Sequence, residues 1–221
     1  MHTGNPRIDN TTADLIVGSD EAGRGNWAGP LVTAAVCVPR GWQPPPGVTD
    51  SKQVKQEARR YALRDALLRD KTLSWVIVQS HPESIDRIGV QKANIRDHLA
   101  VHESILIPGG AGRTLLRIAD GNLPLGADIV SLPKADVLVA AVSAASIFAK
   151  TALDQYMRDM DKAYPGYDFG NCKGYGTPAH EAGLKRLGPC IIHRRSFAPI
   201  RAYLTPASTA TPTDLFDEMP E

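Results

Sequence analysis

Three cysteines among 221 residues, Cys37, Cys172 and Cys190, are odd in number and form no CxxC pair. That scarcity excludes a disulfide framework and a cysteine zinc cluster, and it fits a reducing compartment. Long hydrophobic runs are absent as well: nothing approaches the roughly 18 residues of a membrane span. The opening stretch MHTGNPRIDNTTAD lacks the apolar centre of a secretory signal. The expectation is therefore a cytoplasmic chain with no membrane partner. No internal repeat is visible. What is present, 43% apolar and 22% charged residues, is the composition of an ordinary globular protein able to bury one core. The expected organisation is an N-terminal extension over 1–12, a folded domain over 13–204, and a tail over 205–221. In the tail Pro, Thr, Ser and Ala displace all apolar periodicity, which is the composition of a disordered segment.

A net charge of +1 conceals an uneven distribution. The segment 202–221 holds Asp214, Asp217, Glu218 and Glu221 without any Lys or Arg, so removing its −4 leaves +5 on residues 1–201. Between 173 and 201, Lys173, Lys185, Arg186, Arg194, Arg195 and Arg201 face only Glu181. A basic surface there suits a phosphate backbone, and a plain solvated basic face is the competing reading.

LIVGS at 15–19 and LVTAAVCVP at 31–39 read as buried strands bracketing a glycine-rich turn. Asp50 or Ser51 is placed to cap a helix over 53–70, LSWVIVQ at 73–79 reads as a third strand, and apolar spacing predicts a helix over 91–106. RTLLRIAD supplies a strand ending at Asp120, and the alanine-rich 137–160 predicts a long helix with Asp136 immediately before it. The alternation predicts an α/β fold, a mixed sheet flanked by helices.

On this sketch Asp20 and Glu21 end the first strand, Asp120 ends a later one, and Asp136 precedes the long helix. Carboxylates held together repel unless a cation neutralises them, and hard oxygen donors select Mg²⁺ or Mn²⁺. Two such ions suffice for phosphodiester hydrolysis without a protein nucleophile. Singly, each acid is as compatible with a solvated charge or, for Asp136, a helix cap. The glycine context of the first pair favours a loop that approaches phosphate closely.

DEAGRGNWAGPLV at 20–32, DSK at 50–52, DG at 120–121, KADVLVAAVSAASIFAK at 134–150, KGYGT at 173–177 and GPCIIHRRSFAP at 188–199 resemble ribonuclease HII, block after block in that family's order. The resemblance implies a ribonuclease H-like fold with a C-terminal helical extension, and Asp20, Glu21, Asp120 and Asp136 as the catalytic metal ligands for Mg²⁺ or Mn²⁺; a monomer is the default expectation, on which the sequence itself is silent. It implies that Gly23, Arg24 and Gly25 contact the nucleic-acid backbone and read the 2′-hydroxyl. Tyr175 is similar to the family's tyrosine that packs on the neighbouring sugar, and Lys173 of the same block joins the substrate-binding set. The implied substrates are RNA–DNA hybrid and duplex DNA carrying ribonucleotides, cut 5′ of the ribonucleotide to leave 3′-hydroxyl and 5′-phosphate ends. The chain departs from the family pattern at Asn26, where proline is usual, at Ala135, where glycine is common, and at Leu153, where arginine often stands. The helix over 91–106 also matches poorly.

Other readings compete. Gly23-x-Gly25-x-x-Ala28 imitates a dinucleotide fingerprint, but two acids would repel a pyrophosphate and a strand follows where that motif needs a helix. His98 and His102 lie four apart, permissive for a metal, yet without a third ligand a solvent-facing helix is the better account. Ser146 and Lys150 lack SxxK spacing and are read as packing and support. A catalytically silent nucleic-acid-binding protein would keep the basic face, but it has no need of all four acids. In the tail, PTDLF at 212–216 resembles peptides that dock on the bacterial sliding clamp, without their usual glutamine.

Overall fold

The computed structural model of the protein describes residues 3–110 and 112–204. Five strands, β1 Leu15–Ala22, β2 Leu31–Pro39, β3 Ser74–Ser80, β4 Leu115–Asp120 and β5 Ile129–Leu132, form one sheet in the order β3-β2-β1-β4-β5. The first three are antiparallel neighbours, with β1 and β2 paired from Leu15↔Pro39 to Ala22↔Val32. β4 and β5 add in parallel, β4 beside β1 with Ser19 opposite Ala119. The near-continuous burial of β2 follows from its place inside a sheet covered on both faces.

The described helices are α1 Pro6–Asp9, α2 Glu57–Arg69, α3 Pro82–Ile88, α4 Val90–Ser104, α5 Ala135–Leu138, α6 Ala140–Ala163, α7 Phe169–Cys172, α8 Pro178–Leu187 and α9 Ala198–Arg201. The two-residue alternation of a strand divides β1 between two layers. Leu15 and Val17 pack with Val101 of α4 and with Ile105 just past its end, while the opposite face meets α6. α6 lies so close that a Cβ on Gly18 would sit 2.4 Å from the Val142 backbone nitrogen. Small residues make this approach possible: Ala141, Ala144, Ala145 and Ala149 are all buried on α6, with Ile147, Leu153 and Met157 filling the larger gaps.

The differences from the expected elements have local causes. The single long helix over 137–160 is two: Val139 is extended, with φ −127 and ψ 114, and separates α5 from α6. Asp136 is therefore a first-turn residue of α5, preceded by Lys134 as N-cap, and not itself a cap. Neither Asp50 nor Ser51 caps α2, which begins at Glu57 after Gln56. The 50–52 segment is instead bonded to α6, the Ser51 amide donating to Ser146 Oγ at 3.2 Å and the two serine hydroxyls lying 2.9 Å apart. β5 and α3 were not anticipated, being four and seven residues long and without a distinctive period. Thr177 opens α8 by accepting a hydrogen bond from the His180 amide, with Pro178 at its first position.

A candidate carboxylate centre and nucleic-acid interface

Asp20 and Asp120 stand one residue beyond the last parallel pair, Ser19↔Ala119, and so extend from adjacent strands at the same level and toward the α6 layer. β1 does not end at Asp20 and Glu21 as expected, but continues to Ala22, with Asp20 opposite Ala34 and Glu21 opposite Thr33. Asp136 reaches the pair from α5, its amide 3.4 Å from Asp120 Oδ1. A cavity of about 530 Å³ opens beside them, lined by Asp50, Lys52, Asp120, Lys134 and Asp136 among others. All four predicted acids thus gather at one end of the sheet.

The electrostatics are those of crowded anions. Burial, then Glu21 and Asp120, push the Asp20 carboxyl well above the usual range. Burial also raises Asp120, and burial with Asp120 and Asp50 raises Asp136 to about 6 despite the opposing charge of Lys52. Glu21 is the exception. Burial acts upward on it, but the hydrogen bond from His98, followed by the charges of Arg24 and Lys52, holds it below its ordinary value. Lys52, absent from the predicted site, is itself raised: burial is outweighed by Asp20, Asp50, Asp136 and Glu21. Among the described residues no group of three or more His, Cys, Asp or Glu side chains is drawn together closely enough to hold a metal ion. The donor set nevertheless fits a hard divalent cation, because it is all oxygen and its members destabilise one another's charged forms.

The glycine turn lies at the same end. Gly23 has φ +90, and a Cβ there would come within 2.8 Å of the Pro30 carbonyl, whereas Gly25 faces open space. Arg24 is exposed, with Nη2 donating to Gln91 Oε1 at 2.8 Å. KGYGT docks directly on this loop: the Trp27 amide donates to the Gly174 carbonyl at 2.8 Å, and Tyr175 is 43% exposed beside it. The departure at Asn26 has a use here, its amide donating to the Lys173 carbonyl at 2.6 Å. Leu153, the second departure, packs beneath Gly23. Ala135, the third, is fully buried at the start of α5, and its amide helps hold Asp120.

Three expectations need correction. The Lys173 ammonium does not face a ligand: it donates to the Gly170 carbonyl at 2.5 Å and pairs with Glu57 at 3.3 Å. His98 and His102 do not face solvent but are 0% and 1% exposed, turned onto β1. The basic stretch 173–201 is also less of a surface than its composition suggests, since Lys173 and Arg194 are buried. Arg194 is fully buried and donates to the carbonyls of Gly29, Arg24 and Gly23 at 3.0, 3.0 and 2.7 Å. It shapes the glycine turn from behind, a role no sequence spacing announces. Of Ser146 and Lys150, Ser146 reaches the acids, its hydrogen bond lowering Asp20, while Lys150 serves packing, pairing at 2.7 Å with buried Asp154, which also holds Arg60 of α2. PTDLF at 212–216 lies outside the described residues.

Solved structures place the architecture first. The chain superposes on the ribonuclease H2 of Pyrococcus horikoshii with a TM-score of 0.67 at 24% identity, covering 86% of this chain and 96% of that one. A ribonuclease HIII, Bst-RNase HIII in complex with Mn²⁺, gives 0.67 at 19% identity, covering 87% and 70%. The ribonuclease HII in a complex with PCNA from Archaeoglobus fulgidus gives 0.61 at 22%, covering 81% and 91%. The class defined is an α/β protein of ribonuclease H-like fold. Sequence comparison is more specific: the Ribonuclease HII family model matches residues 17–200. The Ribonuclease HII of Hyphomonas neptunium is 43% identical over 211 residues, covering 87% of this chain and 97% of that protein. That of Thermus thermophilus is 39% identical over 187 residues, covering 84% and 87%. The chain belongs to the ribonuclease HII family and is, with it, a divalent-metal-dependent ribonuclease H enzyme.

Proposed function

We propose that the chain hydrolyses the RNA strand of RNA–DNA hybrids and cuts 5′ of ribonucleotides embedded in duplex DNA, leaving 3′-hydroxyl and 5′-phosphate ends, with Asp20, Glu21, Asp120 and Asp136 holding two divalent ions. The observation that carries this reading is the gathering of the four acids, three of them with carboxyls raised by burial and by neighbouring carboxylates, beside the Gly23-Arg24-Gly25 turn, of which Arg24 and Gly25 are exposed. When bound, Mg²⁺ or Mn²⁺ would supply the charge that polarises the scissile phosphate and activates water. Mn²⁺ is the ion in the related ribonuclease HIII structure.

The protein's own groups then have distinct tasks. Asp20 and Asp120, fixed on adjacent parallel strands, set the spacing of the donors, and Asp136 completes them from a short helix independent of α6. Gly25, with open space above it, lets a sugar-phosphate backbone come close, and exposed backbone and Arg24 groups of the turn are suited to phosphate and 2′-hydroxyl contacts. Tyr175 offers a ring for the adjoining sugar. Lys52, beside the acids yet exposed, is placed to meet the phosphate as well. The experiment is cleavage of a labelled DNA duplex bearing one ribonucleotide, with Mg²⁺, Mn²⁺ and chelator in parallel. A cut 5′ of the ribonucleotide that needs metal is expected, and tight binding with no metal-dependent cut would instead favour a silent binding protein. A sliding-clamp contact through 212–216 finds support in the PCNA complex of the Archaeoglobus fulgidus ribonuclease HII. Unchanged clamp affinity after deletion of 205–221 would dismiss it.

A further inference from the structure

The buried face of α4 carries a polar chain that ends on a catalytic carboxylate. His98 Nε2 lies 3.2 Å from Glu21 Oε2, its Nδ1 lies 2.8 Å from Ser19 Oγ, and the same hydroxyl lies 2.9 Å from His102 Nε2. Ser19, His98 and His102 are 0%, 0% and 1% exposed; they lie among apolar Val17, Val101 and Ile105, with Asn94 and Asp97 also buried on α4 and buried Thr33 opposite Glu21. Polar groups so placed cost stability unless each proton has an acceptor, so the directions of the bonds are constrained. His102 is neutral, its pKa lowered to about 3, chiefly by burial. Its Nδ1 has no partner. A bare lone pair there is cheaper than an orphaned N–H, which puts the proton of His102 on Nε2, donating to Ser19. The Ser19 hydroxyl then donates to His98 Nδ1, and His98 is left with an Nε2–H that donates to Glu21. Every proton is used once.

We infer that His98, oriented by Ser19 and His102, is a positioning residue for Glu21, holding one carboxylate oxygen so that the other is presented to a divalent cation. The inference rests on the reading of Glu21 as a metal ligand. Glu21 needs such a hold more than its neighbours, because strand alternation turns it toward the α4 layer while Asp20 faces α6. A carboxylate free to rotate would lose the shared geometry, and outer partners of metal ligands typically govern affinity by 10- to 100-fold.

The test is calorimetric titration of the full chain with Mn²⁺, comparing the native protein with His98→Leu, His98→Gln and Glu21→Gln. The Gln side chain retains an N–H near the position of Nε2, and Leu does not. His98→Leu is expected to weaken Mn²⁺ binding about tenfold and to lower kcat while leaving KM for a hybrid duplex unchanged. His98→Gln should recover most of both. Native affinity in His98→Leu, with affinity reduced in Glu21→Gln, would overturn the inference while leaving the metal site standing; native affinity in Glu21→Gln would remove both. Should His98→Leu fail to fold, ¹⁵N spectra of the native imidazoles decide, since Nε2–H tautomers at both histidines are required and an Nδ1–H form of His102 would refute the chain.

Discussion

At the scale of single residues, burial and neighbouring carboxylates raise Asp20, Asp120 and Asp136, and this makes their substitution informative. Asp20→Asn keeps the shape and removes the charge, so cleavage is expected to vanish while the circular dichroism spectrum and cooperative melting persist. Full activity of the folded variant would refute the assignment. The raised Asp136 carboxyl also has a thermodynamic consequence. Its folded pKa of about 6 exceeds the ordinary 3.8. The folded protein therefore binds this proton more tightly, and its contribution to stability is present below pH 3.8 and lost as pH rises through 6. Burial and the Glu21 charge raise Asp20 and Asp120 in the same direction. Metal-free protein should thus lose stability from these groups between about pH 4 and 7, and Mn²⁺ should restore more of it at pH 7 than at pH 5. Melting temperatures measured with and without Mn²⁺ across that range check the sign.

At the scale of elements, two close approaches set the site. The first is α6 against β1 at Gly18, where an added methyl meets backbone and cannot be accommodated by a rotamer change. Gly18→Ala is expected to cost about 1–3 kcal/mol in urea unfolding and to reduce activity through displacement of Asp20. A neutral effect on stability would show that α6 yields. The second is Arg194 behind the glycine turn. Arg194→Met leaves three carbonyls without their donor and is expected to cost about 3 kcal/mol, with KM for the ribonucleotide duplex rising more than kcat falls. A larger loss in kcat would mean the clamp supports the acids instead of the turn. The long elements were legible because they are strongly patterned: LVTAAVCVP could only be a buried strand, and 140–163 carries a helical apolar face. The break at Val139 was not legible, since nothing in VLVAAV distinguishes an extended valine from a helical one. Tertiary geometry imposes it, because α5 must serve Asp120 while α6 lies on β1.

At the scale of the whole molecule, the sheet gathers the acids at one end and leaves the glycine turn and Tyr175 exposed beside them. The exposed cations of the C-terminal region, Lys185, Arg186, Arg195 and Arg201, are fewer than the sequence count, and Lys185 is paired with Glu181 at 2.8 Å. Duplex affinity should fall with salt, the slope of log K against log salt being steeper than about −2 if several phosphates are neutralised. A salt-independent affinity would contradict a phosphate-backbone interface.

The sequence by itself determined the identity of the four acids, the glycine turn and the order of the main strands and helices. Those features reside in residue type, in spacing along the chain, and in local periodicity, which need no knowledge of distant partners. Only the tertiary structure decided that Lys173 and Arg194 turn inward, that Asn26 ties the glycine turn to the KGYGT loop, and that His98 and His102 face the core. In each case the deciding force is a buried polar group finding its partner far away in sequence, Asn26 with Lys173, Arg194 with Gly23 and His98 with Glu21. Such partners are set by packing, and local pattern does not contain them.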